Sequence, residues 1–316
     1  DQRVQVNGEQ VRKIAKMIAA LSGALPFPFT GPEYPKVEHP RTVDYFFAAT
    51  LQQFGFWSAQ NNRYDRPLIA TIGGIERKGS DYLWAAFTRK LQQDKDFCSP
   101  ERQASLSREE LREVFRADDG QEPMPALDLH LEMARSYGHD MLALNLTPRL
   151  MLQQAAAAPK PLRAFIYLLN KIGGYKEDPL PKKPGLLALI LHQRPEKFLA
   201  LRQDEQVPPV IDYHLMRSAL RTGLVDVLDP DLAAKLRDRH LVSPEEEWAV
   251  RYTAYQAMEQ LIALSGRRTG VVDWFFFNAR RRCPEMSDPL CAACPVDPVC
   301  AHRKALFQPV IRTPFY

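Results

Sequence analysis

The feature that most constrains this chain is a group of cysteines near its C-terminus. Four of its five cysteines, Cys283, Cys291, Cys294 and Cys300, occur with the spacing C-x7-C-x2-C-x5-C. Four thiols so close in sequence are typical of a metal centre, because together they supply a complete set of sulfur ligands. Disulfides are not expected, since the N-terminal DQRVQVNGEQ shows no apolar signal-peptide core. We therefore expect a cytoplasmic metal-binding protein.

The cysteine spacing favours an iron–sulfur cluster, with zinc as the alternative. Structural zinc sites usually join two CxxC-like knuckles, whereas this segment has one CxxC and two outlying cysteines. An irregular loop that wraps a [4Fe–4S] cluster suits this pattern better. Cys98 lies far from the group in sequence, and we expect it to be a free thiol without a role.

Most of the chain carries apolar residues at helical spacing. Helix-capping signals precede several of these segments: Ser80, a capping box of Ser107 and Glu110, and a capping box of Ser243 and Glu246. Only LIATIG at 68–73 resembles a strand, so the sequence predicts an all-α protein with proline-rich connections, the longest at 26–40. No apolar run reaches the roughly 20 residues of a membrane span, so we expect a protein that does not bind membranes. We also expect a monomer. The predicted helices cover about 8–24, 42–59, 80–93, 107–116, 125–144 and 243–265.

Two adjoining C-terminal segments carry a family resemblance. CPEMSDPLCAACPVDPVC (283–300) and the preceding helix VVDWFFFNARRRC (271–283) resemble the cluster loop of the endonuclease III and adenine glycosylase branch of the helix-hairpin-helix DNA glycosylases. That family usually has six residues between the first two cysteines, and this chain has seven. The resemblance implies an all-α, helix-hairpin-helix glycosylase-like fold with a C-terminal [4Fe–4S] loop. It divides the chain into an N-terminal helix and irregular loop (1–38), a helical body (39–270), and a last helix with the cluster loop (271–316).

The segment VIDYHLMRSALRTGL (210–224) resembles the part of the same family that carries the catalytic aspartate. The resemblance implies that Asp212 is catalytic and that Tyr213 and His214 contact the substrate. A carboxylate beside the sugar would stabilise the positive charge that develops when an N-glycosidic bond breaks. Asp212 also has the position of an N-cap for a helix from Tyr213, so a purely structural role is the alternative.

The phosphate-binding hairpin of that family has only a partial counterpart. The nearest match is LPKKPG at 180–185, whose glycine is displaced by one residue, and it offers Lys182 and Lys183 as candidate DNA-binding residues. The family's Schiff-base lysine would fall near Leu186, so the resemblance implies a monofunctional glycosylase without lyase activity. Arg281, Arg282 and Arg303 flank the cysteines and are further candidates for binding DNA phosphates. A solvated charge run is the alternative, since the net charge is only +4.

A second resemblance covers roughly residues 36–225. Four segments resemble the queuosine salvage nucleosidases, which cleave a 7-deazaguanine base from a nucleotide: HPRTVDYFFAATLQQFGFW (39–57), SDYLWAAFTRKLQQ (80–93), REELREVFRADDGQEPMPALDLHLEMA (108–134) and IDYHLMRSALRTGL (211–224). The resemblance implies a pocket for a modified base. Phe56, Trp57 and Tyr175 are candidate stacking partners and Asp178 a candidate second acid, although in a helical protein most such aromatic residues form the core.

Both families break N-glycosidic bonds, so the sequence predicts the reaction more directly than the substrate. The main hypothesis is a monofunctional DNA N-glycosylase that excises a bulky modified base and leaves an abasic site. Its role could be base excision repair or antiviral defence against phage with modified genomes. The alternative is cleavage of a free 7-deazaguanine nucleotide in queuosine-type salvage. A third hypothesis is a non-catalytic nucleic-acid-binding protein.

Overall fold

The computed structural model describes residues 1–316 and is mostly helical. Its elements, in chain order, are β1 (Val4–Val6), α1 (Gly8–Ala20), α2 (Thr42–Thr50), β2 (Trp57–Gln60), β3 (Arg63–Pro67), β4 (Ile69–Ile72), β5 (Ile75–Lys78), α3 (Ser80–Gln93), α4 (Pro100–Ala104), α5 (Arg108–Val114), α6 (Leu127–Ala143), α7 (Pro148–Ala157), α8 (Pro161–Leu169), α9 (Lys182–Gln193), α10 (Tyr213–Thr222), β6 (Val225–Val227), α11 (Pro230–Asp238), α12 (Pro244–Ser265) and α13 (Thr269–Ala279). The strands form three two-stranded sheets, β1–β6, β2–β3 and β4–β5. The predicted helical character is therefore confirmed.

Local sequence signals account for several helix starts. Ser243 and Glu246 form the predicted capping box of α12, with Pro244 in its first turn. Asp212 is the predicted N-cap of α10 and accepts a hydrogen bond from the Leu215 amide. The predicted cap at Ser80 is wrong by one residue, because Gly79 occupies the N-cap and Ser80 is the first residue of α3.

Two predicted helices are shorter than expected. The helix predicted over 42–59 ends at Thr50, and β2 begins at Trp57. Gly55 lies between them at φ +71°, a left-handed conformation that ends helical geometry and that glycine adopts without strain. The helix predicted over 8–24 ends at Ala20, ahead of another left-handed glycine, Gly23. No helix or strand occurs within 26–40, as predicted.

The chain forms two compact units. The first contains Asp1–Phe27, Ala59–Tyr64 and Pro208–Arg312. In this unit α12 packs against α1 and α10, and α10 also packs against α13. The core is apolar: Val11 and Ile14 of α1 are fully buried, as are Ala254 and Leu261 of α12. Strand β1 pairs antiparallel with β6, with Val4 opposite Val227.

The second unit contains Pro28–Ser58, Asp65–Val207 and Thr313–Tyr316. Helix α2 packs against α3, α7 and α9, and α4 packs against α6. The last contact requires a glycine, because a Cβ atom added at Gly138 of α6 would lie 2.2 Å from the Ala104 amide nitrogen. None of the helices of the chain combines the length and apolar character needed to cross a bilayer.

Candidate active site and metal centre

The cysteine loop, residues 283–300 of the first unit, follows α13. Cys283 donates its amide to the Ala279 carbonyl at 2.8 Å, which extends the end of that helix. Cys291 begins one short 3-10 helix, Cys291–Ala293, and Cys300 follows a second, Asp297–Val299. All four cysteines of the loop are half-buried. The loop therefore combines regular turns with thiols that are partly shielded from water.

The Cys300 thiol is affected by its burial and by the other cysteines of the loop. Burial raises the pKa of the Cys300 thiol, and the nearby Cys294, Cys283 and Cys291 thiols raise it further. Two donors point at sulfur: Arg221 Nη1 lies 3.3 Å from Cys283 Sγ, and the His302 amide lies 3.3 Å from Cys300 Sγ. Donors of this kind stabilise thiolate ligands, so the chemistry of the donor set suits a metal bound by sulfur.

The segment after the loop is fixed to the C-terminal end of α10. The Ala301 amide donates to the Thr222 carbonyl at 3.2 Å, and the Arg303 amide donates to the Arg221 carbonyl at 3.0 Å. Gly223 ends the helix in the left-handed conformation, and a Cβ atom there would lie only 2.6 Å from the Ala301 Cβ. The end of α10 and the residues that follow Cys300 are thus in close backbone contact.

The structure also groups a mixed set of ligand atoms that the sequence did not single out. Cys291, Asp297 and His302 place one ligand atom each within 4.8 Å of one another. His302 Nε2 lies 2.7 Å from Asp297 Oδ1. A sulfur, a carboxylate and an imidazole together suit zinc better than an iron–sulfur cluster. The only sequence signal for this set was the position of His302, two residues after Cys300.

Asp212 lies in the same unit, at the start of α10, and is half-buried. Its Oδ1 accepts a hydrogen bond of 2.9 Å from the Leu215 amide, so the carboxylate has a fixed orientation at the positive end of the helix dipole. Tyr213 is buried, and burial raises the pKa of its phenol well above the usual value, with Glu285 and Asp212 acting in the same direction. The start of α10 therefore brings together the Asp212 carboxylate and two buried side chains, those of Tyr213 and His214.

A buried hydrogen-bond network extends from His214. Arg217 Nη2 donates to His214 Nδ1 at 2.9 Å, while Arg217 Nη1 donates to Gln308 Oε1 at 2.7 Å and to Glu285 Oε1 at 3.4 Å. Because a guanidinium can only donate, Nδ1 of the histidine accepts and the ring proton lies on Nε2. Sequence reasoning missed Arg217, Glu285 and Gln308, since their spacing along the chain gives no indication that they meet.

The second unit holds the other predicted substrate-binding residues in its interior. Phe56, Trp57 and Asp178 are each about 5% exposed or less, and Tyr175 is fully buried. The Tyr175 hydroxyl donates to the Phe47 carbonyl at 2.6 Å, and burial raises the pKa of this phenol. Asp178 accepts hydrogen bonds from the Leu180 and Lys182 amides, at 3.0 and 3.1 Å. These contacts are of the kind that hold a core and a helix start together.

Lys182 and Lys183 are buried in the second unit. Lys182 Nζ donates to the Gln53 carbonyl and Lys183 Nζ to the Leu51 carbonyl, both at 2.9 Å. The two residues lie in the first turn of α9, where the resemblance would require a glycine turn. Buried ammonium groups that donate to backbone carbonyls differ from the exposed groups that bind DNA phosphates. The structure therefore places the charge of both lysines in the interior of the unit and not at a surface that a phosphate could reach.

The three candidate arginines around the cysteine loop differ in exposure. Arg281 is exposed and Arg282 half-buried. Arg303 donates to the Val225 carbonyl at 3.0 Å and pairs with Asp226 at 2.5 Å, so its charge is partly compensated within the protein. Arg281 is accordingly the arginine of this set that is most accessible to a phosphate.

Comparison with protein families relates part of the chain to a known family. Residues 33–162 match the family model described as queuosine salvage protein. The match covers fewer than half of the residues and includes Phe56 and Trp57, but it stops before Asp212 and the cysteine loop. No curated protein matches the chain. The expected resemblance to queuosine salvage proteins is therefore confirmed over residues 33–162, while the segment 211–224 lies outside the match, and the match favours the salvage alternative over the DNA glycosylase hypothesis.

Proposed function

We propose that this protein hydrolyses the N-glycosidic bond of a queuosine-type nucleotide, releasing its 7-deazaguanine base. The observation that carries the proposal is the match of residues 33–162 to the queuosine salvage family. A glycosidase also gives a role to the Asp212 carboxylate, which has a fixed orientation at the start of α10. An N-glycosidic bond breaks through a positively charged sugar, and a carboxylate stabilises that charge. The products are the free base and the sugar phosphate, with water as the second reactant.

Asp212 is the residue we propose as catalytic. Its carboxylate would stabilise positive charge at the sugar carbon and orient the attacking water. The Leu215 amide holds one carboxylate oxygen in place, so little reorganisation is needed during the reaction. His214, which is buried and held by Arg217, would help to position the start of α10 beside the substrate. No lysine is required in this scheme, which agrees with a monofunctional hydrolase.

We further propose that Cys283, Cys291, Cys294 and Cys300 hold a [4Fe–4S] cluster. Four half-buried thiols and two donors to sulfur support this assignment. When bound, the cluster supplies four metal–sulfur bonds that fix the loop, and a centre able to exchange one electron. The mixed set of Cys291, Asp297 and His302 supports zinc instead. Metal analysis of the purified protein separates the two, and one zinc without iron would refute the cluster.

A modified base in DNA is the second candidate substrate. Exposed Arg281, two residues before the first cysteine of the loop, favours this candidate because phosphate contacts along a strand need accessible cations. The function would then be the removal of a bulky base from DNA, in base excision or antiviral defence. A free nucleotide needs only one cation near its phosphate, so the two candidates differ in how affinity depends on salt.

The test is to supply both substrate classes to the same preparation. Purified protein is incubated with queuosine 5′-monophosphate and, separately, with DNA that contains 7-deazaguanine or glucosylated cytosine bases, and released bases are identified by mass spectrometry. The proposal expects release from the mononucleotide, and release slowed by about 10²–10³-fold in the Asp212→Asn variant. Release from DNA alone would establish the second candidate. Binding without release from either substrate would favour a non-catalytic nucleic-acid-binding protein.

A further inference from the structure

A series of aromatic rings crosses the first unit beside the start of α10. Phe27 and Trp274 stack with ring centroids 4.3 Å apart and an angle of 17° between the ring planes. The Trp274 and Phe277 centroids are 6.0 Å apart, and the Phe277 ring meets the His214 ring at 5.4 Å in a T-shaped contact. We call Phe27, Trp274, Phe277 and His214 the ring row.

The ring row reaches the proposed catalytic residue. His214 follows Asp212 by two residues, and its ring also lies 4.1 Å from that of Tyr213. Phe27, Trp274 and Phe277 are half-buried, unlike the fully buried aromatic residues of the core such as Tyr45 and Phe47. Part of each of these three rings is therefore accessible to a ligand whose sugar lies at Asp212.

A cation completes the arrangement. The Arg280 guanidinium lies over the Phe277 ring, 4.1 Å from its centroid, and so covers one face of that ring. Trp274, Phe277 and Arg280 are three residues apart, so they share one face at the end of α13. A flat aromatic surface beside a guanidinium suits a ligand that joins a flat base to an anionic phosphate, because the base stacks and the guanidinium donates to phosphate oxygens.

We propose that the ring row binds the base of the substrate nucleotide by stacking, with Arg280 binding its phosphate. This inference rests on the proposed glycosidase function and assigns the contacts of its substrate. The base stacks on the faces of Phe277 and Trp274 opposite Arg280 and Phe27, and its sugar lies towards Asp212. The ligand class is a free mononucleotide with a purine-like base.

The test measures binding without turnover. The protein as purified, carrying the Asp212→Asn substitution, is titrated with queuosine 5′-monophosphate in a calorimeter. Phe277→Leu keeps an apolar side chain but removes the flat ring, and it should weaken binding by about 5- to 150-fold, the range of stacking losses seen on removal of an aromatic partner. Phe277→Tyr keeps the ring and should retain the affinity. Thermal unfolding of each variant verifies that the fold is intact.

The matched control uses aromatic residues on another helix of the same unit. Trp248 and Tyr252 of α12 stack at 5.4 Å with 9° between their planes and are each about 40% exposed. Tyr252→Leu removes a comparable ring from a comparable surface, and it should leave nucleotide affinity within about 2-fold. An equal loss for Tyr252→Leu and Phe277→Leu would overturn the assignment, since general exposure of aromatic residues would then explain both.

Arg280 is tested by comparing nucleotide with nucleoside. Arg280→Gln should weaken binding of the 5′-monophosphate by about 10-fold or more, the usual scale for a lost hydrogen bond to a charged group, and leave binding of the nucleoside unchanged. An equal loss for both ligands would place Arg280 away from the phosphate and refute its part of the proposal.

The outcomes separate the ring row from the proposed function. If the unsubstituted protein hydrolyses the mononucleotide and Phe277→Leu binds it equally well, the ring row is wrong and the function stands. If no 7-deazaguanine nucleotide is hydrolysed, guanosine 5′-monophosphate serves as the probe. Binding that depends on Phe277 and Arg280 would then support the ring row although the function fails. Absence of any nucleotide binding would overturn the ring row.

Discussion

The starts of α9 and α10 carry similar chemistry and use it differently. Each has an aspartate that accepts amide hydrogen bonds ahead of or at the helix start, Asp178 for α9 and Asp212 for α10. At α9 the following cations, Lys182 and Lys183, donate to backbone carbonyls. At α10 the residues after Asp212 include His214 and Arg217, whose side chains form a hydrogen bond with each other. Asp212 itself remains half-exposed. The same residue types therefore hold structure together in one unit and form a candidate site in the other.

Replacing the buried arginine at α10 should give the largest effect. Arg217→Met removes the cation that faces Glu285, Gln308 and His214, and we expect the free energy of unfolding to fall by about 3–5 kcal/mol, as when a buried ion pair loses one partner. Urea denaturation measures this change. Arg237→Met, at an exposed position of α11, is the matched control and should change it little. A small effect of Arg217→Met would show that the network is not energetically important.

The second-largest effect should be on turnover, where replacing Asp212 and replacing Asp178 should give different results. Asp212→Asn keeps the size and capping ability of the side chain but removes its charge, so we expect turnover of the proposed substrate to fall by about 10²–10³-fold with little change in stability. Asp178→Asn should affect unfolding more than turnover, because its oxygens accept two backbone amides. Equal losses of turnover would identify Asp178 as a second acid, and near-full turnover of Asp212→Asn would make Asp212 only a cap.

The lysines at α9 give a smaller effect, confined to stability. Lys183→Met leaves the buried Leu51 carbonyl without its ammonium donor, and we expect the free energy of unfolding to fall by about 1–3 kcal/mol. Thermal and urea unfolding measure it, with Lys95→Met at an exposed position of the same unit as control. If Lys183→Met instead weakened DNA binding without changing stability, the lysine would act on phosphates after all.

The smallest effect concerns the cations near the cysteine loop. Arg281→Glu should weaken DNA binding uniformly across sequences and lower the salt dependence of log Kd by about one unit of slope, if DNA is bound at this surface. Binding is measured by fluorescence anisotropy over a series of salt concentrations, with Arg237→Glu as the control. An unchanged slope would leave Arg281 a solvated surface residue and favour the mononucleotide.

Sequence reasoning identified the parts of the molecule whose signals are local. The capping box at Ser243, the N-cap at Asp212 and the strand near 69–72 depend on neighbouring residues, and the structure has all three. The prediction that the second helix runs to residue 59 was wrong. Gly55 has a left-handed conformation that the local sequence did not indicate. The interior position of Lys182 and Lys183 also could not be predicted, since their carbonyl partners lie about 130 positions earlier in the chain.

The candidate site shows the same limit. The spacing of the cysteines can be recognised in the sequence. The groups that donate to sulfur cannot: they are the Arg221 side chain and the His302 backbone amide. Arg217 and Glu285 are 68 positions apart and meet only in the folded unit. A periodic or spaced pattern cannot report such contacts, because it contains no information on which distant segments pack together.

The close contact between the end of α10 and the residues after Cys300 has a consequence for the order of assembly. During synthesis α10 emerges well before the cysteine segment, and the Thr222 and Arg221 carbonyls become the acceptors for the amides of Ala301 and Arg303. The position of the last of the four thiols therefore depends on the folded end of α10. If the four cysteines bind the proposed cluster, its uptake would be a late maturation step that depends on a helix contributing none of the ligands.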